Sequence, residues 1–108
     1  MVDLLKGVRV LSFNHFLMGP VGVQFLADLG ADVIAVEPPG GAFQRNWSGA
    51  NNKRVDGQSM LLLVGNRNKR SLVLDLKKPE AIEIARKLIA TADVLTENYR
   101  RGTLDKLG

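Results

Sequence analysis

The side chains able to do acid–base or anion chemistry lie in short polar stretches between apolar runs. The single histidine, His15, follows the run Val8-Arg9-Val10-Leu11-Ser12-Phe13. Imidazole changes charge near neutrality and can act as a general acid or base. No orienting partner for it is evident in the chain, so a structural or loop-stabilising histidine is expected. Asp75 and Glu97 end apolar runs, Asp32 falls in a turn, and Asp28 lies on the polar side of a helical pattern. Paired-carboxylate chemistry depends on a separation in space that sequence spacing does not define. The 108 residues contain no cysteine. That excludes a disulfide, a thiolate nucleophile and cysteine-ligated metal, and one histidine cannot build a usual zinc site.

Two basic stretches are candidates for anion contact. Asn66-Arg67-Asn68-Lys69-Arg70 precedes an apolar run. Guanidinium and ammonium groups pair with phosphate oxygens, and a solvated turn is the competing reading. Asn98-Tyr99-Arg100-Arg101-Gly102 follows another apolar run, with Lys106 just beyond, and cofactor contact is expected there. Neither stretch is a Walker A loop, and Gly19-Pro20-Val21-Gly22 is not the G-x-G-x-x-G dinucleotide fingerprint. Glu37 nevertheless stands where a ribose-binding carboxylate would sit. The formal charge of +4 favours anionic partners only weakly. Aromatic residues make up 6% of the chain and do not interleave with the basic run, so no nucleic-acid partner is expected.

The elements that must position these groups follow from apolar periodicity. Val8–Phe13 reads as a strand. A turn through Met18-Gly19-Pro20 leads to a helix over Val21–Gly30, whose Val21, Phe25, Leu26 and Leu29 form one stripe. Val33–Val36 is a near-continuously apolar strand, as in a parallel sheet interior. The breaker cluster Pro38-Pro39-Gly40-Gly41 opens a long irregular loop, residues 38–58, in which Phe43 and Trp47 suggest local packing. Ser59–Val64 is ambiguous between strand and helix. Ser71–Asp75 reads as a strand, Pro79 as the first residue of a helix continuing over Glu80–Thr91, and Val94–Glu97 as a further strand. Thr103–Leu107 begins a helix that is cut short. Two βαβ units in series predict a doubly wound α/β domain with a parallel, Rossmann-like sheet. Ligands gather outside the carboxyl ends of such strands, here Ser12–Gly19, Glu37–Gly41, Asp75–Lys77 and Asn98–Arg101. No apolar run is long enough to span a membrane, and the first residues lack a signal-peptide pattern.

Three ordered stretches carry a family resemblance. Leu5-Lys6-Gly7-Val8-Arg9-Val10-Leu11, Gly19-Pro20 and Leu26 to Gly41 resemble the opening of the class III coenzyme A transferases. Asn68 to Lys77 is similar to the family's second signature, and Ala92 to Arg100 with Gly102 to its third. The family includes formyl-CoA:oxalate, carnitine and bile-acid CoA transferases and 2-methylacyl-CoA racemases. The resemblance implies that this chain is the N-terminal part of a large CoA-binding domain. It implies an interlocked homodimer for the longer parent, although the isolated chain would be monomeric or would aggregate. The implied partners are an acyl-CoA and a carboxylate acceptor, in the cytoplasm and without metal. In the transferases an aspartate takes up the acyl group as a mixed anhydride, which is nucleophilic catalysis by a carboxylate. That aspartate is expected beyond Gly108, so the isolated chain is expected to lack turnover. A racemase, with a His and Asp pair, and a non-catalytic partial domain are the alternatives.

What the resemblance carries over is CoA contact. It falls on Leu17 and Met18, on Leu74, Asp75, Leu76 and Lys77, on Asn98, Tyr99 and Arg100, and on Lys106. Lys106 stands where the family often has arginine, so the charge is kept and the bidentate fork lost. Leu17-Met18 replaces a Gln-Ala or Gln-Ser pair, Pro38 an arginine of some members, and Arg101 a usual proline. These departures leave the fold expectation intact and the acyl substrate open.

Overall fold

The computed structural model describes residues 2–108. In chain order the elements are β1 (Arg9–Phe13), α1 (Met18–Asp28), β2 (Asp32–Glu37), α2 (Phe43–Asn46), β3 (Arg54–Val55), β4 (Gln58–Ser59), α3 (Met60–Gly65), β5 (Arg70–Val73), α4 (Pro79–Ile89), β6 (Val94–Glu97) and α5 (Thr103–Leu107). Four strands form one parallel sheet in the order β5-β2-β1-β6.

The period-2 alternation of strand side chains divides the core between the two faces of the sheet. Leu11 and Phe13 join Ile34, Val36 and Leu74 beneath Ala81 and Ala85 of α4. Val10 and Val33 point the other way and pack with Val23 and Ala27 of α1. The two central strands are apolar because helices cover both of their faces. β5 and β6 are edge strands, and most of their residues are exposed. This confirms the α/β, parallel-sheet expectation.

The chain visits β1, β2 and β5 in one direction, and α4 then carries it back to β6 on the far side of β1. The order therefore reverses between β1 and β6. In open α/β sheets such a reversal splays the flanking loops apart and leaves a crevice.

Two local expectations need correction, and one open alternative resolves. The first helix starts at Met18, so Met18-Gly19 is helical and Pro20 occupies its first turn. Proline is tolerated there because the first helical N–H groups have no internal partner. Ser59–Val64 resolves into a helix that begins at Met60, with the Ser59 hydroxyl accepting from Leu61 N at 3.2 Å. The stretch 38–58 is not wholly irregular: it holds α2 and a β3–β4 hairpin that reaches Ser59. The hairpin turns at Asp56-Gly57, both at positive φ, which suits the twist of a two-residue connection.

The basic run 66–70 is a structural staple. Arg67 pairs with Asp28 at 2.6 Å, and Asn68 donates to the same carboxylate at 2.8 Å. Lys69 Nζ donates to the carbonyls of Pro20 and Gly65 at 2.6 and 2.8 Å and to Asn66 Oδ1 at 3.1 Å. Burial pushes the Lys69 ammonium down to about 8. Arg70 and Arg9 both bind Asp32, at 2.7 and 2.9 Å. These bonds tie α1, α3, β2 and β5 together and engage the run's cations with protein oxygens.

Candidate functional site

A cavity of about 460 Å³ opens at the carboxyl end of the sheet, among the loops that follow β1, β2, β5 and β6. That volume falls in the range of about 300–1,000 Å³ usual for small-molecule sites. One wall is apolar, built from Val36, Pro38, Pro39, Phe43, Leu74 and Leu76. Asn14, His15, Asp75, Lys77 and Tyr99 supply polar groups. An apolar wall with few polar groups suits a ligand that is partly hydrocarbon and partly charged.

The reversal between β1 and β6 is held by a small polar network. Asn14, only 7% exposed, donates from Nδ2 to Ser12 Oγ at 2.8 Å and to Thr96 Oγ1 at 2.7 Å. The Asn98 side chain receives His15 N–H on Oδ1 and donates from Nδ2 to His15 O, both at 2.9 Å. One amide thus continues the β1–β6 pairing past the end of the strands. Gly19 allows α1 to start against this network. A Cβ there would lie 2.5 Å from Asn14 Oδ1 and 2.8 Å from Asn98 Nδ2.

The expected contact residues divide into two groups. Leu74, Asp75, Leu76, Lys77 and Tyr99 line the cavity. Leu17, Met18, Asn98, Arg100 and Lys106 do not. Met18 is 80% exposed at the start of α1. The Asn98 amide is spent on the His15 backbone. Arg100 and Lys106 are exposed and form no ion pair among the described residues. The Asp75 carboxylate accepts from Lys77 N at 3.2 Å and shapes its own loop. Glu37 binds Arg45 at 2.7 Å and accepts from Ser71 Oγ at 3.1 Å, so its carboxylate is occupied. Burial first, and then the charge of Glu97, raise the Tyr99 phenol above its ordinary value of 10.0.

Phe16 carries no chemical signal in the sequence and acts through its conformation. It has φ 66, in the left-handed region, and its N–H is held by Gln44 Oε1 at 3.1 Å. Its ring packs at 5.7 Å from both Phe43 and Trp47. This trio fastens α2 over the β1 loop and brings Phe43 to the cavity. The aromatic content of the 38–58 stretch was the available signal for such packing.

No helix among the described residues is long and apolar enough to cross a membrane. No group of three or more His, Cys, Asp or Glu among them could hold a metal ion.

Comparison with known proteins agrees with this architecture. The family model described as CoA-transferase family III matches residues 5–108. The succinate–glutarate CoA-transferase of Agrobacterium fabrum is 44% identical over 108 residues, which covers 96% of this chain and 27% of that protein. A formyl-CoA:oxalate CoA-transferase of Rhodopseudomonas palustris is also 44% identical, over 100% of this chain and 25% of its own length. Among solved structures, a CAIB/BAIF family protein from Brucella suis superposes with a TM-score of 0.88 at 40% identity, covering 99% of this chain and 29% of that one. A hypothetical protein from Mycobacterium tuberculosis gives a TM-score of 0.87 at 39% identity, covering 99% and 28%. The chain therefore spans about a quarter of the length of these curated relatives.

Proposed function

The chain belongs to CoA-transferase family III, and from that premise we propose that its cavity holds the coenzyme A part of an acyl-CoA for a longer transferase. The observation that carries this reading is the cavity at the carboxyl edge of β1, β2, β5 and β6, which combines an apolar wall with Lys77 and Tyr99. Pantetheine suits the apolar wall. The phosphates suit Lys77, with Arg100 and Lys106 on the neighbouring surface. Leu17, Met18 and Asn98 complete the proposed contact set around the β1 and β6 loops, the Asn98 side chain acting by holding His15.

In the proposed reaction a carboxylate attacks the thioester carbonyl, the C–S bond breaks, and CoA leaves as its thiolate. The attack leaves a mixed anhydride. The thiolate then attacks one of its carbonyls, a new C–S bond forms as the anhydride C–O bond breaks, and a carboxylate leaves. A segment that holds CoA in place keeps this second attack effectively unimolecular. The attacking aspartate is assigned to sequence outside this chain. Asp28, Asp32 and Asp93 are each engaged in hydrogen bonds that tie distant parts of the fold together, and Asp75 accepts from Lys77 N within its own loop. The acceptor is a carboxylic acid, the parent an interlocked homodimer, and the setting the cytoplasm.

Titration of the chain with CoA at two salt concentrations tests the reading. Saturable binding that weakens with salt and with Lys77→Ala is expected. Absence of saturable binding, or acyl transfer catalysed by this chain alone, contradicts it.

A further inference from the structure

His15 occupies an unusual position for the only histidine of the chain. Its backbone is gripped on both sides by the Asn98 amide. Its ring stacks on Tyr99, with centroids 5.5 Å apart and planes 28° apart. It lines the cavity beside the reversal of strand order. Its Nδ1 is enclosed and has no hydrogen-bond partner, whereas Nε2 is not enclosed and has no protein partner among the described residues.

That asymmetry sets the tautomer. A neutral imidazole carries one N–H and one lone pair. A proton on Nδ1 would enclose a donor with no acceptor, which forfeits its hydration without replacement. A proton on Nε2 stays within reach of water or a ligand. The Asn98 amide fixes the His15 backbone, and the Tyr99 stack packs one face of its ring.

We propose that His15 is a ligand-positioning residue that donates a hydrogen bond from Nε2–H to an oxygen of the bound CoA moiety. The assignment rests on the CoA reading of the cavity. It gives the histidine a binding role fixed by tautomer, without proton transfer. Tyr99, whose phenol is protonated at neutral pH, lines the same cavity.

Because the chain has one histidine, ¹⁵N-histidine labelling reports on this residue alone. The expected spectrum shows the Nε2–H tautomer in the free chain and a shift of the Nε2 resonance on adding CoA. His15→Phe, which keeps the stack and removes the donor, is expected to weaken CoA binding roughly three- to tenfold, the worth of one neutral hydrogen bond. His15→Gln restores an amide donor near the Nε2 position and should recover most of the affinity. His15→Asn, whose amide sits nearer the Nδ1 position, should not. The nucleotide half and the pantetheine half of CoA, titrated separately, identify which oxygen is met. An Nδ1–H tautomer overturns the assignment. So does CoA binding that leaves Nε2 unmoved and is as tight in His15→Phe. Failure of the unsubstituted chain to bind CoA removes the underlying reading, and the role of His15 with it.

Discussion

At the scale of single residues, satisfied polar groups matter more here than free ones. Asn98, a ligand contact by family resemblance, uses its amide as a bracket for the His15 backbone across the sheet reversal. Asn98→Ala is expected to cost about 1–2 kcal/mol in urea denaturation, from two lost hydrogen bonds, and to weaken CoA binding although the side chain is off the cavity wall. Unchanged CoA affinity in a folded Asn98→Ala variant would contradict the bracket role. Asp32 supports the opposite end of the sheet. Burial tends to raise its pKa, but hydrogen bonds from Arg9 and Arg70 outweigh burial and hold it below the ordinary 3.8. A carboxylate depressed in the folded state contributes stability above its unfolded pKa and loses it as pH falls through the folded value. Asp32→Asn should therefore be less stable than the parent at pH 7, and the difference should shrink below pH 3.8. Urea midpoints measured across that range check the sign; a difference independent of pH would refute it.

At the scale of elements, regular apolar runs were legible and contacts distant in sequence were not. β6 was readable as Val94–Glu97 because four residues between turn signals leave little choice. The four strand-end regions that surround the cavity were likewise visible as turn-rich polar stretches. The start of α1 was misplaced because Gly19-Pro20 reads locally as a turn, whereas the Asn14–Asn98 network lets the helix begin against it. The β3–β4 hairpin had an Asp-Gly signal, but strands of two residues are too short to alternate visibly. The basic run 66–70 could not be told from a phosphate site, because its partners Asp28 and Pro20 lie some forty to fifty residues away. Gly19→Ala tests the packing of α1 directly. Its Cβ would fall within 3 Å of both asparagine side chains, so a loss of roughly 1–3 kcal/mol is expected from overpacking. Thermal or urea denaturation measures it, and a neutral substitution would show that the network yields freely.

At the scale of the whole molecule, the sheet has two open edges and an incompletely covered face. Val94 and Leu95 on β6, Val73 on β5, and Ile84 and Ile89 on α4 are each about two-fifths to one-half exposed. Apolar patches of this kind mark association surfaces or aggregation risk. The chain also spans only about a quarter of its curated relatives. The isolated chain is therefore expected to self-associate with rising concentration in sedimentation experiments, and Leu95→Lys should reduce the effect. A strictly monomeric chain at high concentration would show that these faces are tolerated in water.

The proposed CoA site lies at the carboxyl edge of the sheet, over the reversal between β1 and β6. Backbone amide shift mapping during a CoA titration tests it most directly. The largest changes are predicted at Asn14 and His15, at Leu74 to Lys77, and at Asn98 and Tyr99. Changes confined to the basic pocket around Arg45, Arg67 and Arg70, or no saturable change at all, would contradict it.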